Sequence, residues 1–153
     1  MSELSLRFAT PDDASGIFRL VSELAKYENL EHEVISGPDD FQRTLEDPKS
    51  KIEVLLGFWS GEMVAFALFF ENFSTFLGKP GLYLEDLFVQ PKFRTKGIGT
   101  ALMTRLIEIA QDRKYGRVEW AVLDWNEPAI KFYTERIGAR LMSPWRICRL
   151  VLE

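Results

Sequence analysis

The chain has 153 residues, of which 46% are hydrophobic and 12 are Phe, enough for one domain with a single packed core and too apolar for a disordered chain. Its formal net charge of −4 argues against nucleic acid or anionic membrane as the main partner and suits a cationic substrate. One cysteine, Cys148, excludes an internal disulfide and fits a reducing compartment.

The opening stretch MSELSLRFATPDD carries acids where a signal peptide needs an apolar core. No apolar run reaches membrane-spanning length, so a cytoplasmic protein without a membrane partner is expected. LSLRFAT (4–10) alternates apolar and polar residues as a half-buried strand does. Thr10, Pro11, Asp12 and Asp13 form a helix start, and Ile17, Val21, Leu24 and Ala25 recur at helical spacing to about Tyr27, with Phe18 widening the stripe. A polar connection follows, and PDDFQRTLED predicts a short second helix. Residues 52–59 and 62–70 are β-rich runs joined by Ser60-Gly61, a two-residue hairpin signal. After the loop ENFSTFLGKPG comes a strand at 82–89, LYLEDLFV. A helix near 97–114 then presents Leu102, Met103, Leu106, Ile107, Ile109 and Ala110 on a broad apolar face.

RVEWAVLDW (117–125) predicts another strand. Asn126 caps a helix through PAIKFYTER, and ARLM and PWRICRLVL predict two final strands. The pattern is α+β: a mixed, largely antiparallel sheet of about six to seven strands with helices on both faces. Its central parallel pair, 82–89 and 117–125, is joined by a right-handed helical crossover. No repeat, low-complexity segment or linker divides the chain, so residues 1–153 are expected to be one domain.

Between strand 82–89 and the next helix lies QPKFRTKGIGTAL (90–102). A helix's first turn leaves N–H groups unpaired at its positive end, and glycines let a phosphate approach the backbone. Arg94 and Lys96 add full charges. Two familiar phosphate loops fail in detail. A P-loop needs four residues between its glycines, and one separates Gly97 from Gly99; the dinucleotide fingerprint wants a third glycine where Leu102 stands. On the pattern alone two readings stand, an anion site for a phosphate or pyrophosphate and a flexible helix start with solvated cations.

Arg94-Thr-Lys-Gly97-Ile-Gly99, after LYLEDLFV, resembles the [RQ]-x-x-G-x-[GA] signature of the GNAT-superfamily N-acetyltransferases. Asn126-Glu-Pro-Ala-Ile-Lys-Phe-Tyr133 resembles their second landmark. The stretches ELAKYE, LYLEDLFV and LDWNEPAIKFY look like the subgroup of diamine (spermidine/spermine) and thialysine N-acetyltransferases. The resemblance implies acetyl-CoA as co-substrate, no metal, a small amine acceptor and a homodimer.

Acetyl transfer to an amine needs the amine's proton removed, donors for the carbonyl oxygen and a proton for the departing thiolate. By resemblance, Tyr133 gives that proton. The backbone of Leu87, Phe88 and Val89 pairs with the pantetheine arm, and one of these amides polarises the thioester carbonyl. Arg94, Thr95, Lys96, Gly97, Ile98, Gly99 and Thr100 enclose the diphosphate, with Asn126 and Ala129 completing the coenzyme contacts. Without the family, Tyr133 reads as a core aromatic and Asn126 as a plain helix cap.

Glu85 and Asp86 are adjacent on a strand, so strict alternation sends them to opposite faces. Glu85 is expected on the substrate side, attracting the ammonium and accepting its proton through water, with Asp86 a structural acceptor; both on a wet sheet edge is the plain reading. Tyr27, Glu28 and Glu31 match the substrate-contacting end of the first helix in the subgroup. Ser74 and Phe76 stand where polyamine-acetylating relatives carry an acid and a tryptophan, and Arg140–Pro144 lacks their acids, which favours a smaller amine such as a diamine or lysine analogue. His32 reads as solvated, Cys148 as packed, and nothing has metal-ligand spacing. A non-catalytic acyl-CoA-binding module on the same fold is the alternative; a nucleotide-binding protein is a third.

Overall fold

A computed structural model describes residues 3–152, which form two compact units dividing after Ala121. In the first unit β1 (Leu4–Phe8), β2 (Glu53–Trp59), β3 (Glu62–Ser74), β4 (Lys79–Val89) and β5 (Val118–Trp120) build a five-stranded sheet in the order β1-β2-β3-β4-β5. The first three pairings are antiparallel and β4–β5 is parallel. The α+β class and the parallel pairing of 82–89 with 117–125 are those expected from the sequence, but the pair lies at one edge of the sheet and not at its centre, because β5 is the last strand in the order.

The strand count is lower, five against six to seven. Residues 117–125 hold strand geometry only over Val118–Trp120, and 139–142 and 144–152 form none. Those last segments have strand-like side chains, but among the described residues no strand pairing forms over them, and a strand does not persist alone. Trp145, Ile147 and Leu150 are 76%, 71% and 85% exposed, and Cys148 is exposed rather than packed. Conversely, most of the expected loop 71–81 is strand. β3 and β4 stay in register through Asn72↔Gly81, Phe73↔Pro80 and Ser74↔Lys79. The hairpin at Ser60 and Gly61, with φ of 49° and 85°, is the primed turn that matches strand twist.

Helices α1 (Ala14–Tyr27) and α2 (Pro38–Glu46) cover one face of the sheet. Ile17, Leu20 and Leu24 of α1 pack with Val54, Leu56, Phe66 and Phe88, and Phe41 and Leu45 of α2 lie against the same cluster. Each such side chain contributes about 1.5–3 kcal/mol by leaving water. α3 (Ile98–Asp112) buries Ile98, Leu102, Met103 and Leu106. Its start settles on small residues of the opposite face: a Cβ at Gly57 would come within 3.1 Å of Ala65 Cβ and 3.3 Å of Ile98 Cγ2. Gly57→Val is therefore expected to cost about 2 kcal/mol in urea unfolding through overpacking. Unchanged stability would show that the start of α3 does not rest there.

In the second unit α4 (Glu127–Lys131) runs into a π-helical turn, Phe132–Ile137, and stops at Gly138 with φ 86°. The expected single helix is thus two pieces of different pitch. A π turn is a geometry found disproportionately at functional sites.

Candidate active site

The register of β4 corrects one expectation. Phe88 faces Phe66 and Asp86 faces Leu68, yet Leu84 faces Phe69, so Glu85 is an extra residue, a β-bulge. Phe66, Leu68 and Phe88 belong to the core under α1, which places Asp86 on that face as well. Tyr83, opposite Phe70, lies there too. The bulge breaks strict alternation and sets Glu85 and Asp86 side by side; bulges commonly re-aim a side chain in this way.

The electrostatics agree. Asp86 is pushed up to about 6, first by burial, then by Glu85 and then by Glu28. Glu28, just past α1, is itself raised by burial. The Tyr83 phenol is raised by burial and by the charges of Glu85, Glu119 and Asp86. Glu85, Glu119 and Asp86 thus form a negative region around Tyr83, to which Glu28 adds at Asp86. Such a region attracts an ammonium group.

β5 covers β4 only from Leu82 to Leu84. Beyond that, no strand among the described residues pairs with the outer edge of β4. Gln90 donates its N–H to Val64 of β3 at 2.9 Å, so by alternation Phe88 also faces β3 while Leu87 and Val89 turn their backbone groups outward. The Val89 carbonyl accepts from Arg94 Nε at 2.9 Å on that outer side.

The strand then leads through Thr95, at φ 43°, and Gly97, at φ 80°, into α3. A β-branched residue in the left-handed region is costly, and such strain concentrates at functional sites. The first bond of the helix runs from Ala101 N–H to the Gly97 carbonyl at 3.0 Å. The amides of Ile98, Gly99 and Thr100 therefore have no carbonyl of their own helix to donate to. A Cβ at Gly97 would meet nothing within 4 Å. This open, donor-lined bend fits a diphosphate, and the free edge of β4 fits an extended amide-bearing arm.

Both cations of the bend lie over aromatic rings. Arg94 sits 4.5 Å from the centre of Tyr27 and 5.6 Å from that of Phe88, and Lys96 lies 5.0 Å from that of Trp59. Sequence reasoning did not single out Trp59, Gln90, Glu23, Tyr83 or Glu119. Gln90 Nε2 donates to both oxygens of Glu23, at 3.2 and 3.0 Å, and its buried Oε1 has no hydrogen-bond partner among the described residues. A glutamine straight after an apolar strand was the only available signal.

Tyr27, Glu28, Glu85 to Val89 and Arg94 to Thr100 all lie in the first unit; Asn126, Ala129 and Tyr133 lie in the second. Asn126 caps α4, its Oδ1 accepting the Ala129 amide at 3.4 Å. Tyr133 is in the π turn, its ring centre 5.4 Å from that of Phe132. A cavity of about 200 Å³ between α2 and the sheet is lined by Phe41, Leu45, Ile52 and Val54 among others, with no candidate site residue in its wall. Glu31 and His32 fall in a short 3-10 turn, Glu31–Glu33. No cluster of metal-ligating side chains occurs among the described residues, and no helix among them is long and apolar enough to cross a membrane.

Residues 18–139 match the Acetyltransferase (GNAT) family, and the chain belongs to that family: it is an acetyltransferase. It is 32% identical to the L-ornithine N5-acetyltransferase NATA1 of Arabidopsis thaliana, over 95% of this chain and 83% of that protein. It is 34% identical to the thialysine N-epsilon-acetyltransferase of Sus scrofa, over 92% and 86% of the two chains. In fold it is similar to the integron cassette protein VCH_CASS6 from the mobile metagenome of V. cholerae, with a TM-score of 0.80 at 24% identity, covering 99% of this chain and 94% of that one.

Proposed function

We propose that the protein transfers the acetyl group of acetyl-CoA to a primary amine of a small cationic substrate, a diamine, polyamine, or lysine- or ornithine-like amino acid, by direct attack in a ternary complex. The observation that carries this is the outer edge of β4, which leads from the Glu85–Asp86 carboxylates to the bare amides at the start of α3. The names of the relatives support the acceptor class. The family match crosses the division at Ala121, which supports one catalytic domain over residues 1–153.

Acetyl-CoA, when bound, supplies a thioester carbonyl that takes on negative charge and a sulfur that leaves as a thiolate. Ile98, Gly99 and Thr100 hold the diphosphate through backbone N–H groups, with Arg94, Thr95, Lys96 and Gly97 shaping the bend. Leu87 and Val89 pair with the arm, one of their amides donating to the carbonyl oxygen. Asn126 and Ala129 complete the coenzyme contacts.

Glu85, the more exposed acid, and Glu28 draw the ammonium in, with Tyr27 at the rim. Asp86 is the better proton acceptor: negative surroundings hold a proton on the amine, and a carboxyl pushed up to about 6 narrows the mismatch in basicity. The Tyr133 hydroxyl gives the thiolate its proton. Tyr133→Phe is expected to lower kcat about 100-fold with acetyl-CoA affinity unchanged; a comparable loss of affinity would assign the tyrosine to structure instead.

The exposed apolar residues of 145–152 support a homodimer, to be measured by sedimentation. The activity is tested by incubating the protein with acetyl-CoA and ornithine, thialysine, diamines or polyamines while following free thiol. Thiol release dependent on one of these amines is expected. Coenzyme binding without turnover on any amine would make the chain a binding module.

A further inference from the structure

Two side chains of the coenzyme bend reach back to α1. Gln90 Nε2 holds Glu23 through both carboxylate oxygens, at 3.2 and 3.0 Å. The Arg94 guanidinium lies 4.5 Å from the centre of the Tyr27 ring. Glu23 and Tyr27 are four residues apart, so they lie on one face of α1, one turn from each other. Arg94 does not swing freely. Its Nε donates to the Val89 carbonyl at 2.9 Å, and its guanidinium lies over the rings of both Tyr27 and Phe88.

Tyr27 is the last residue of α1, and Glu28, whose charge raises Asp86, follows it. The bend is therefore tied to α1 twice, by Gln90 at Glu23 and, at the acceptor end, by the Arg94 cation stacked on the Tyr27 ring. Such a contact is attractive because the guanidinium meets the negative face of the ring, and Arg, with its planar group, suits it better than Lys.

We propose that Arg94 is a positioning residue: stacked on Tyr27, it couples the diphosphate bend to the acceptor end of α1, so that occupation of one site raises affinity at the other. This rests on the acetyl-CoA reading above. Linkage requires the effect to be reciprocal. The charge of Arg94 then serves the diphosphate in part through the geometry it imposes on Tyr27 rather than by pointing at the anion alone.

The test is calorimetric binding of CoA to full-length Tyr27→Phe, Tyr27→Leu, Arg94→Gln and the double variant Arg94→Gln/Tyr27→Leu, each first shown to melt cooperatively. Tyr27→Phe keeps the ring and is expected to weaken CoA less than Tyr27→Leu does. Tyr27→Leu is expected to weaken CoA about five-fold, although Tyr27 lies at the acceptor end. In the Arg94→Gln background the same Tyr27→Leu change is expected to have no further effect. Hydrogen exchange in the ligand-free protein gives a second readout: Arg94→Gln should lose protection at 24–28 and 91–97 together. An equal Tyr27→Leu penalty with and without Arg94, or no penalty in either, overturns the coupling. A parent protein that binds no CoA removes the acetyl-CoA reading and the coupling with it, whereas a parent that binds CoA without this cycle removes the coupling alone.

Discussion

Gly97→Val is expected to weaken acetyl-CoA binding by about 100-fold, corresponding to one or two lost charge-assisted hydrogen bonds. The reason is conformational as much as steric. Gly97 has φ 80°, and valine is disfavoured there by roughly 1–3 kcal/mol, so the bend must open or strain. No protein atom would obstruct the new Cβ, so the fold is expected to survive with a modest loss of stability. Gly97→Asn, which tolerates left-handed backbone, is expected to fall between parent and Gly97→Val. Calorimetry with CoA on the three proteins checks the order. A Gly97→Val protein that binds as the parent does would remove the diphosphate from this bend.

Asp86→Asn is expected to do two opposite things. A carboxyl raised to about 6 in the folded chain, from 3.8 when free, binds more protons folded than unfolded between those values. Stability is therefore lost as pH rises through that window, by roughly 2–3 kcal/mol once pH is well above 6. Asparagine carries no charge to bury, so the variant should be more stable than the parent at pH 8 by about that amount, with most of the gain gone at pH 4. Its turnover should fall about 100-fold, and the rise in the parent's rate through pH 6 should flatten. Denaturant unfolding at the two pH values and a pH–rate profile measure both. A variant less stable than the parent at pH 8 would mean that the charged form of Asp86 is held by partners and is not merely tolerated.

Much of the fold was legible because its signals are local. The apolar spacing of Ile17 and Leu24, the Ser60-Gly61 turn and the Gly97–Gly99 helix start each act within a few residues, and all three appear where expected. The misses come from interactions that sequence spacing does not carry. The bulge at Glu85 inserts a residue that a period-two pattern has no means of marking, because LYLEDLFV puts apolar residues on both faces of the strand. Arg94 and Lys96 announced positive charge, but Tyr27 and Trp59, the rings they lie on, come from distant parts of the chain. The segments 139–142 and 144–152 carry strand-like side chains, yet strand geometry depends on a neighbouring backbone that no composition specifies.

The extra residue in β4 is surplus to the architecture. Leu84 packs on one face and Asp86 and Phe88 on the other, so excising position 85 would leave a regular ladder with every core side chain still turned inward. A chain one residue shorter would lose no packing, and it would also escape the crowding of two acids. Folding alone gives no reason to keep Glu85, and what its removal would take away is the second negative charge beside Asp86.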